Sequence, residues 1–400
     1  MMSPRTWVAR ALFILILAAI NTGSVRADNA PGVTATEIKF GQTIALSGPA
    51  SAYSIVGRAE AAYFRMINEQ GGVNGRKLNF LDVDDTYSPP KTIEQTRRLV
   101  EQEGVAFLFN SIGTAAQLAV RPYLNENRVP QLFSGFGIVD PEHYPWTLPF
   151  FQIYATEAAI YAHYTLQTQP QAKVAVLYQN DDLGRSYLKG FMDGLGPEHE
   201  GMIVKTASYE VSEPTVDSQV ISLQASGADV LLIAASPKFA AQAIRKGADL
   251  RWKPTRYISV VSSTIAAVLK PAGLDNSRDL VTAISNKDVT DPQWRDDPDV
   301  KAFSAFIEKY MTPADLSNDG AAYGYQSAVL LVHVLGKCGD DLSRENIMRE
   351  ATSIKDLTLP LALPGVKVNT SPTDYRMVRQ YQLQRFDGEH WKLFGDLLAD

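Results

Sequence analysis

The sequence has one cysteine, Cys338, in 400 residues. A single thiol cannot close an intramolecular disulfide, so stability has to come from ordinary apolar cores. Cys338 ends the apolar helical run AVLLVHVLGKC, where the expected role is that of a buried small hydrophobe. Histidine is almost as scarce. His143, His163, His199, His333 and His390 stand apart, with no H-x-x-x-H or H-E-x-x-H spacing among them. C-x-x-C, G-x-G-x-x-G, G-x-x-x-x-G-K-[ST] and G-x-S-x-G are missing too, which removes the local signatures of zinc sites, nucleotide binding and the hydrolase elbow. No metal, cofactor or catalytic nucleophile is therefore expected, and the chain reads as a non-enzyme.

Long apolar runs are equally rare. The longest, Ala11 to Ile20, follows Arg5 and Arg10 and precedes Val25-Arg26-Ala27, the pattern of a signal peptide cleaved near Ala27. At ten residues it is too short to span a bilayer of roughly 30 Å, and no later stretch has eighteen uninterrupted apolar residues. Residues 1–27 are thus expected to be a leader, with export to the periplasm. The formal charge of −6 becomes −9 once Arg5, Arg10 and Arg26 are removed. Such an acidic surface argues against nucleic acid or anionic lipid as a partner.

What remains, 373 residues after the leader, is too long for one core and enough for two domains. From Glu37 short β-branched runs alternate with helical patterns: EIKFGQTIAL then IVGRAEAAYFRMINEQ, KLNFLDVDD then KTIEQTRRLVEQE, VAFLFN then TAAQLAVRPYLNEN. Ala59, Ala62, Tyr63, Met66 and Ile67 form one stripe of the first helix, and Gly71-Gly72 stops it. After a Pro-, Gly- and aromatic-rich stretch, Gly135 to Pro149, the alternation restarts with KVAVLYQ, MIVKTASY and DVLLIAA and their helices; YISVVSS and LVTAIS continue the strands. Residues 299–350 read as mostly helical, and YRMVRQYQLQRF and HWKLFGDLL as two closing β segments. The fold class is α/β: two lobes, each a parallel sheet covered by helices. The first lobe takes residues 28–154 and 281–380, the second 155–280 and 381–400, with crossings near 154, 280 and 380. A ligand then belongs between the lobes, where strand carboxyl ends meet helix N-termini with free N–H groups.

Two strand-end loops suit an anion, Ser47 to Tyr53 and Asn110 to Thr114. Each places hydroxyls where an N-cap sits and a glycine where backbone must come close. Ordinary capping without a ligand explains each loop alone equally well. A third loop, Ser134-Gly135-Phe136-Gly137, offers Phe136 as an aromatic wall. The acidic pairs Asp84-Asp85 and Asp181-Asp182, also at strand ends, are expected to cap the following helices.

With these loops in view, the chain resembles the periplasmic leucine/isoleucine/valine-binding protein family, the type I substrate-binding proteins of ABC transporters. The resemblance rests on Ser47-Gly48-Pro49 with Tyr53 four residues on, on Gly71-Gly72-x-x-Gly75-x-x-Leu78, and on EQEGVAFLFNSIGT, NRVPQLF and AKVAVLYQNDDLGRSYLKGF, and runs to about Asp387. It implies two lobes joined by three crossover strands and closing on a ligand, with an ABC permease in the membrane as partner and a monomeric state. Carried over residue by residue, it places a carboxylate on Ser111 or Thr114 and on the backbone of Gly135, Phe136 and Gly137, beside Ser134, with Tyr53 and Tyr154 as rings. Leu183, Ser236 and Ser262 complete the set from the second lobe.

The second lobe departs from the family. Where amino-acid binders carry an acid for the ligand's ammonium, this chain reads Val260-Val261-Ser262-Ser263, and Ser236 or Ala235 stands for the family tyrosine. An ammonium buried without a carboxylate is costly. The expected ligand is therefore an aromatic or other amine-free carboxylic acid, against the alternatives of a branched-chain amino acid or a sensing role on the same fold.

Overall fold

The computed structural model describes residues 29–399, so the expected leader lies outside the described residues. The first sheet holds β1 (Glu37–Ile44), β2 (Lys77–Asp84), β3 (Leu108–Phe109), β4 (Gln131–Ser134) and β5 (Thr147–Pro149), in the order β2-β1-β3-β4-β5 and parallel throughout. Its connections are α1 (Ser54–Glu69), α2 (Pro89–Arg97) and α3 (Thr114–Glu126). Phe40 of β1 packs at the centre of its core, stacked on Phe107 at 5.1 Å and edge-on to Phe64 at 5.1 Å. Such pairs add about 0.5–1.5 kcal/mol beyond the area they bury.

The chain then crosses into α4 (Tyr154–Thr168), β6 (Val174–Gln179), α5 (Asp182–Leu195), β7 (Ile203–Tyr209), α6 (Asp217–Gln224), β8 (Val230–Ala234), α7 (Pro237–Asp249), β9 (Thr255–Ile258), α8 (Lys270–Ala272) and β10 (Leu280–Ile284). It returns through α9 (Pro298–Tyr310), α10 (Asp319–Cys338) and α11 (Arg344–Ala351), which pack on the first lobe: Tyr63 of α1 meets Phe306 and Tyr325 edge-on. A last crossing leads into β11 (Gln380–Phe386) and β12 (Trp391–Ala399). The second sheet runs β12-β11-β10-β9-β8-β6-β7, with only the β10–β11 and β11–β12 pairs antiparallel. This is the type I periplasmic-binding-protein architecture.

Two expected lobe boundaries shift. Residues 281–284, assigned to the first lobe, lie in β10 of the second sheet. There they pair with Arg385, Gln384, Leu383 and Gln382, and all five β10 residues are buried. The crossing follows Ile284. Tyr154, placed at the end of the first lobe, instead starts α4, which packs along α5: a Cβ on Gly190 would fall 2.4 Å from Ala155 Cα.

Candidate functional site

The mutually parallel strands of the two sheets aim their carboxyl ends at a cleft holding a cavity of about 170 Å³. Backbone strain gathers at the first lobe's strand ends. Thr86 (φ 52°), Tyr87 (φ 61°), Asn110 (φ 41°) and Phe133 (φ 55°) are left-handed, each at a cost of order 1–3 kcal/mol. Asn110 is held from three sides: its carbonyl accepts from Gln42 Nε2 at 2.6 Å, its Nδ2 donates to Glu60, and its Oδ1 accepts from Tyr323 Oη at 2.8 Å.

Beyond Asn110 the two candidate hydroxyls part. Ser111 is fully buried, and its Oγ accepts the Thr43 N–H at 3.0 Å, filling a gap in the sheet rather than facing the cleft. Thr114 lines the cavity, with its Oγ1 3.0 Å from Tyr154 Oη. Between them Gly113 takes φ 115°, and a Cβ there would press on the Tyr87 ring at 3.1 Å. No side chain caps α3. Its first N–H groups, with their share of the helix dipole, are therefore left for an anion in the cavity.

The third loop differs from expectation. Phe136 is fully buried in the core rather than forming a cleft wall, because its N–H turns back to Ser134 O at 2.9 Å. Ser134 is fully buried as well. Gly137 packs beneath the first crossing, where a Cβ would meet Gln152 O at 2.1 Å. Gly135 alone of the four reaches the cavity. In the second lobe Leu183 lines it, but Ser236 is taken up by Tyr209, whose Oη accepts the Ser236 N–H at 2.9 Å. Ser262 turns its hydroxyl onto Ala235 O; their neighbours Pro237 and Ser263 line the cavity instead. Of the expected set, Tyr53, Thr114, Gly135, Tyr154 and Leu183 come together around the cavity.

Several lining residues escaped sequence reasoning. Tyr87 stacks on Tyr53 at 5.8 Å, and Phe150 stacks on Tyr323 at 6.0 Å. Phe151 stands edge-on to Tyr154 at 6.0 Å, and Trp391 lines the wall with its Nε1 donating to Ser263 O at 3.0 Å. A tyrosine two residues beyond the strand-end pair Asp84-Asp85 was the one signal available for Tyr87. Burial pushes the Tyr53 and Tyr87 hydroxyls well above their ordinary pKa, so both stay neutral donors. The acidic pairs serve the loops. Asp84 is partly desolvated, yet bonds from Ser47, Thr86 and Leu46 hold it at about 2. Asp181 caps α5 by accepting from Leu183 and Gly184 N–H. Among the described residues no group of three or more His, Cys, Asp or Glu is placed to hold a metal ion, and no helix is long and apolar enough to cross a membrane.

A family model described as periplasmic binding protein matches residues 37–390. The chain belongs to that family. Among curated relatives, the Leu/Ile/Val-binding protein homolog 7 of Brucella abortus is 24% identical over 288 residues, covering 68% of this chain and 70% of its own. A branched-chain amino acid ABC transporter protein from Thermus thermophilus, solved with valine bound, superposes with a TM-score of 0.81 at 16% identity, over 92% of this chain and 98% of that one. A fatty acid ABC transporter substrate-binding protein from Thermomonospora curvata gives 0.75 at 19%, over 93% and 95%. At these identities the solved neighbours fix the fold of this periplasmic binding protein. Its lining is what speaks to the ligand.

Proposed function

We propose that this periplasmic binding protein is the exported, monomeric solute receptor of an ABC-type uptake system, and that it takes a small aromatic or otherwise amine-free carboxylic acid into the cleft and presents it to a membrane permease. The carrying observation is the uncapped start of α3 at Gly113–Thr114, opening into a cavity walled by Tyr53, Tyr87, Tyr154 and Phe151. Free N–H groups at a helix start attract a carboxylate, and charge-assisted bonds of that kind contribute about 1.5–3 kcal/mol each. The size agrees. Cavities of roughly 150 Å³ hold a benzene ring, and this one measures about 170 Å³. Val260 and Val261 put valine, not an acid, at the cavity on the second-lobe side.

The printed names of the relatives favour a second reading, a branched-chain amino acid. Calorimetry with benzoate and leucine side by side separates the two. Benzoate is expected to bind and leucine to bind at least tenfold more weakly. Micromolar leucine binding with no heat from benzoate would restore the second reading.

A further inference from the structure

Three charged residues line the cavity: Lys287, Asp288 and Asp319. Two are spoken for. Lys287 Nζ bonds Asp297 Oδ2 at 2.6 Å and lies 3.7 Å from Asp299, and Asp288 accepts from Thr290 N–H at 2.9 Å and Thr290 Oγ1 at 2.7 Å. Asp319 has neither a hydrogen-bond donor nor a cation among the described residues. It is half-buried, with part of its surface open to the cavity, and burial together with nearby Asp288 pushes its carboxyl up to about 8.

Its place on α10 matters. Asp319, Tyr323 and Gln326 lie at i, i+4 and i+7, one helical face, and all three line the cavity. Tyr323 is satisfied by Asn110 and by Phe150 O at 2.7 Å, and its hydroxyl sits 3.4 Å from where a Cβ on Gly135 would stand, beside the start of α3. Gln326, 1% exposed, has an Oε1 with no donor, a second unpaired acceptor on the same face. Asp319 therefore lies one helical turn, ~6 Å along the axis, from the residue that adjoins the carboxylate end. A ring with one substituent at each end crosses such a span.

We propose that Asp319 is the second anchor of the cleft, and that it selects carboxylic acids carrying a hydroxyl at the end opposite the carboxylate. This rests on the carboxylate reading above. A sheltered carboxyl oxygen without a donor is unfavourable, and a ligand hydroxyl placed there relieves it. A hydrocarbon end leaves Asp319 as it was. Asp319 stands on α10 one turn from Tyr323, so it meets the end of the ligand away from the carboxylate.

The test is calorimetry at neutral pH with benzoate, 4-methylbenzoate and 4-hydroxybenzoate on the full chain, then on Asp319→Ala and Asp319→Asn. On the unaltered protein 4-hydroxybenzoate is expected to bind about tenfold or more tightly than the other two acids. Asp319→Ala should remove that advantage. Asp319→Asn keeps a neutral acceptor at the same place and should preserve it. If benzoate binds and the hydroxyl adds no affinity, or if the advantage survives Asp319→Ala, the second anchor is refuted and the carboxylate reading stands. If no acid binds, both fall. The ranking on the unaltered protein decides the matter even where a variant folds poorly.

Discussion

The carboxylate of Glu157 accepts the backbone N–H of Val260 at 2.8 Å, tying the first turn of α4 to the second-lobe loop that lines the cavity. Tyr161 and Tyr187 hydroxyls and Gln152 Nε2 donate to the same carboxylate. An acid at this position could have served a ligand's ammonium. It is instead fully buried and saturated from within.

A pH dependence follows. Burial pushes the Glu157 carboxyl up to about 7, against the pull of its hydrogen bonds. A folded-state pKa above the unfolded value stabilises the protein fully below the unfolded pKa and loses that contribution as pH rises through about 7. The shift corresponds to a term on the order of 3 kcal/mol. Glu157→Gln, which stays neutral, should therefore lose less stability between pH 5 and pH 8 than the unaltered protein in denaturant titrations. Parallel profiles would remove Glu157 as the titrating group.

Ser111 and Thr114 should separate stability from binding. Ser111→Ala orphans the buried Thr43 N–H and is expected to cost about 1–3 kcal/mol of stability while leaving benzoate affinity within about threefold. Thr114→Ala removes the hydroxyl that holds Tyr154 at the cavity and should weaken benzoate about 5- to 150-fold with a smaller loss of stability. The reverse pattern, measured by melting and calorimetry on the same preparations, would return Ser111 to the cleft.

These two residues also mark how far the sequence could be read. The alternation of strands and helices, the restart after Pro149 and the approach of the loop opening α3 to the cavity were all legible, because periodicity and helix-start chemistry are local. Which hydroxyl faces the cleft was not. The left-handed turns at Asn110 and Gly113 rotate the loop, and three residues of spacing carry no record of that rotation. The place of β10 was equally hidden. LVTAI is buried along its whole length and would suit either sheet; pairing with β9 on one side and with β11, a hundred residues later, on the other assigns it. The wall of Tyr323, Asp319 and Trp391 is assembled from segments far apart in the chain, and so escaped any motif.

The close passage of α4 and α5 gives a packing prediction. A methyl group at position 190 would fall 2.4 Å from Ala155 Cα and 2.5 Å from its carbonyl oxygen, both backbone atoms that cannot swing away. Gly190→Ala should destabilise by about 1–3 kcal/mol or more, lowering the denaturant midpoint at constant slope. An unchanged midpoint would mean the helices sit further apart than described.

Cys338 should be inert in the folded protein. It is 6% exposed, and burial pushes its thiol up to about 12. Since the thiolate is the reactive form, alkylation at pH 8 should be negligible until denaturant unfolds the chain, and should then reach one equivalent. Rapid labelling under native conditions would contradict the packing of α10 against α11.

Neither lobe is built from one continuous stretch. The second sheet takes β6 to β10 before the chain leaves for α9, α10 and α11, and gains β11 and β12 only on its return. Each half thus holds the other's ends in its own core, so neither can come apart while its neighbour stays whole. Heating should therefore give one transition rather than two. Acquiring the fold means joining segments a hundred residues apart, which makes it slow relative to helical proteins of similar stability.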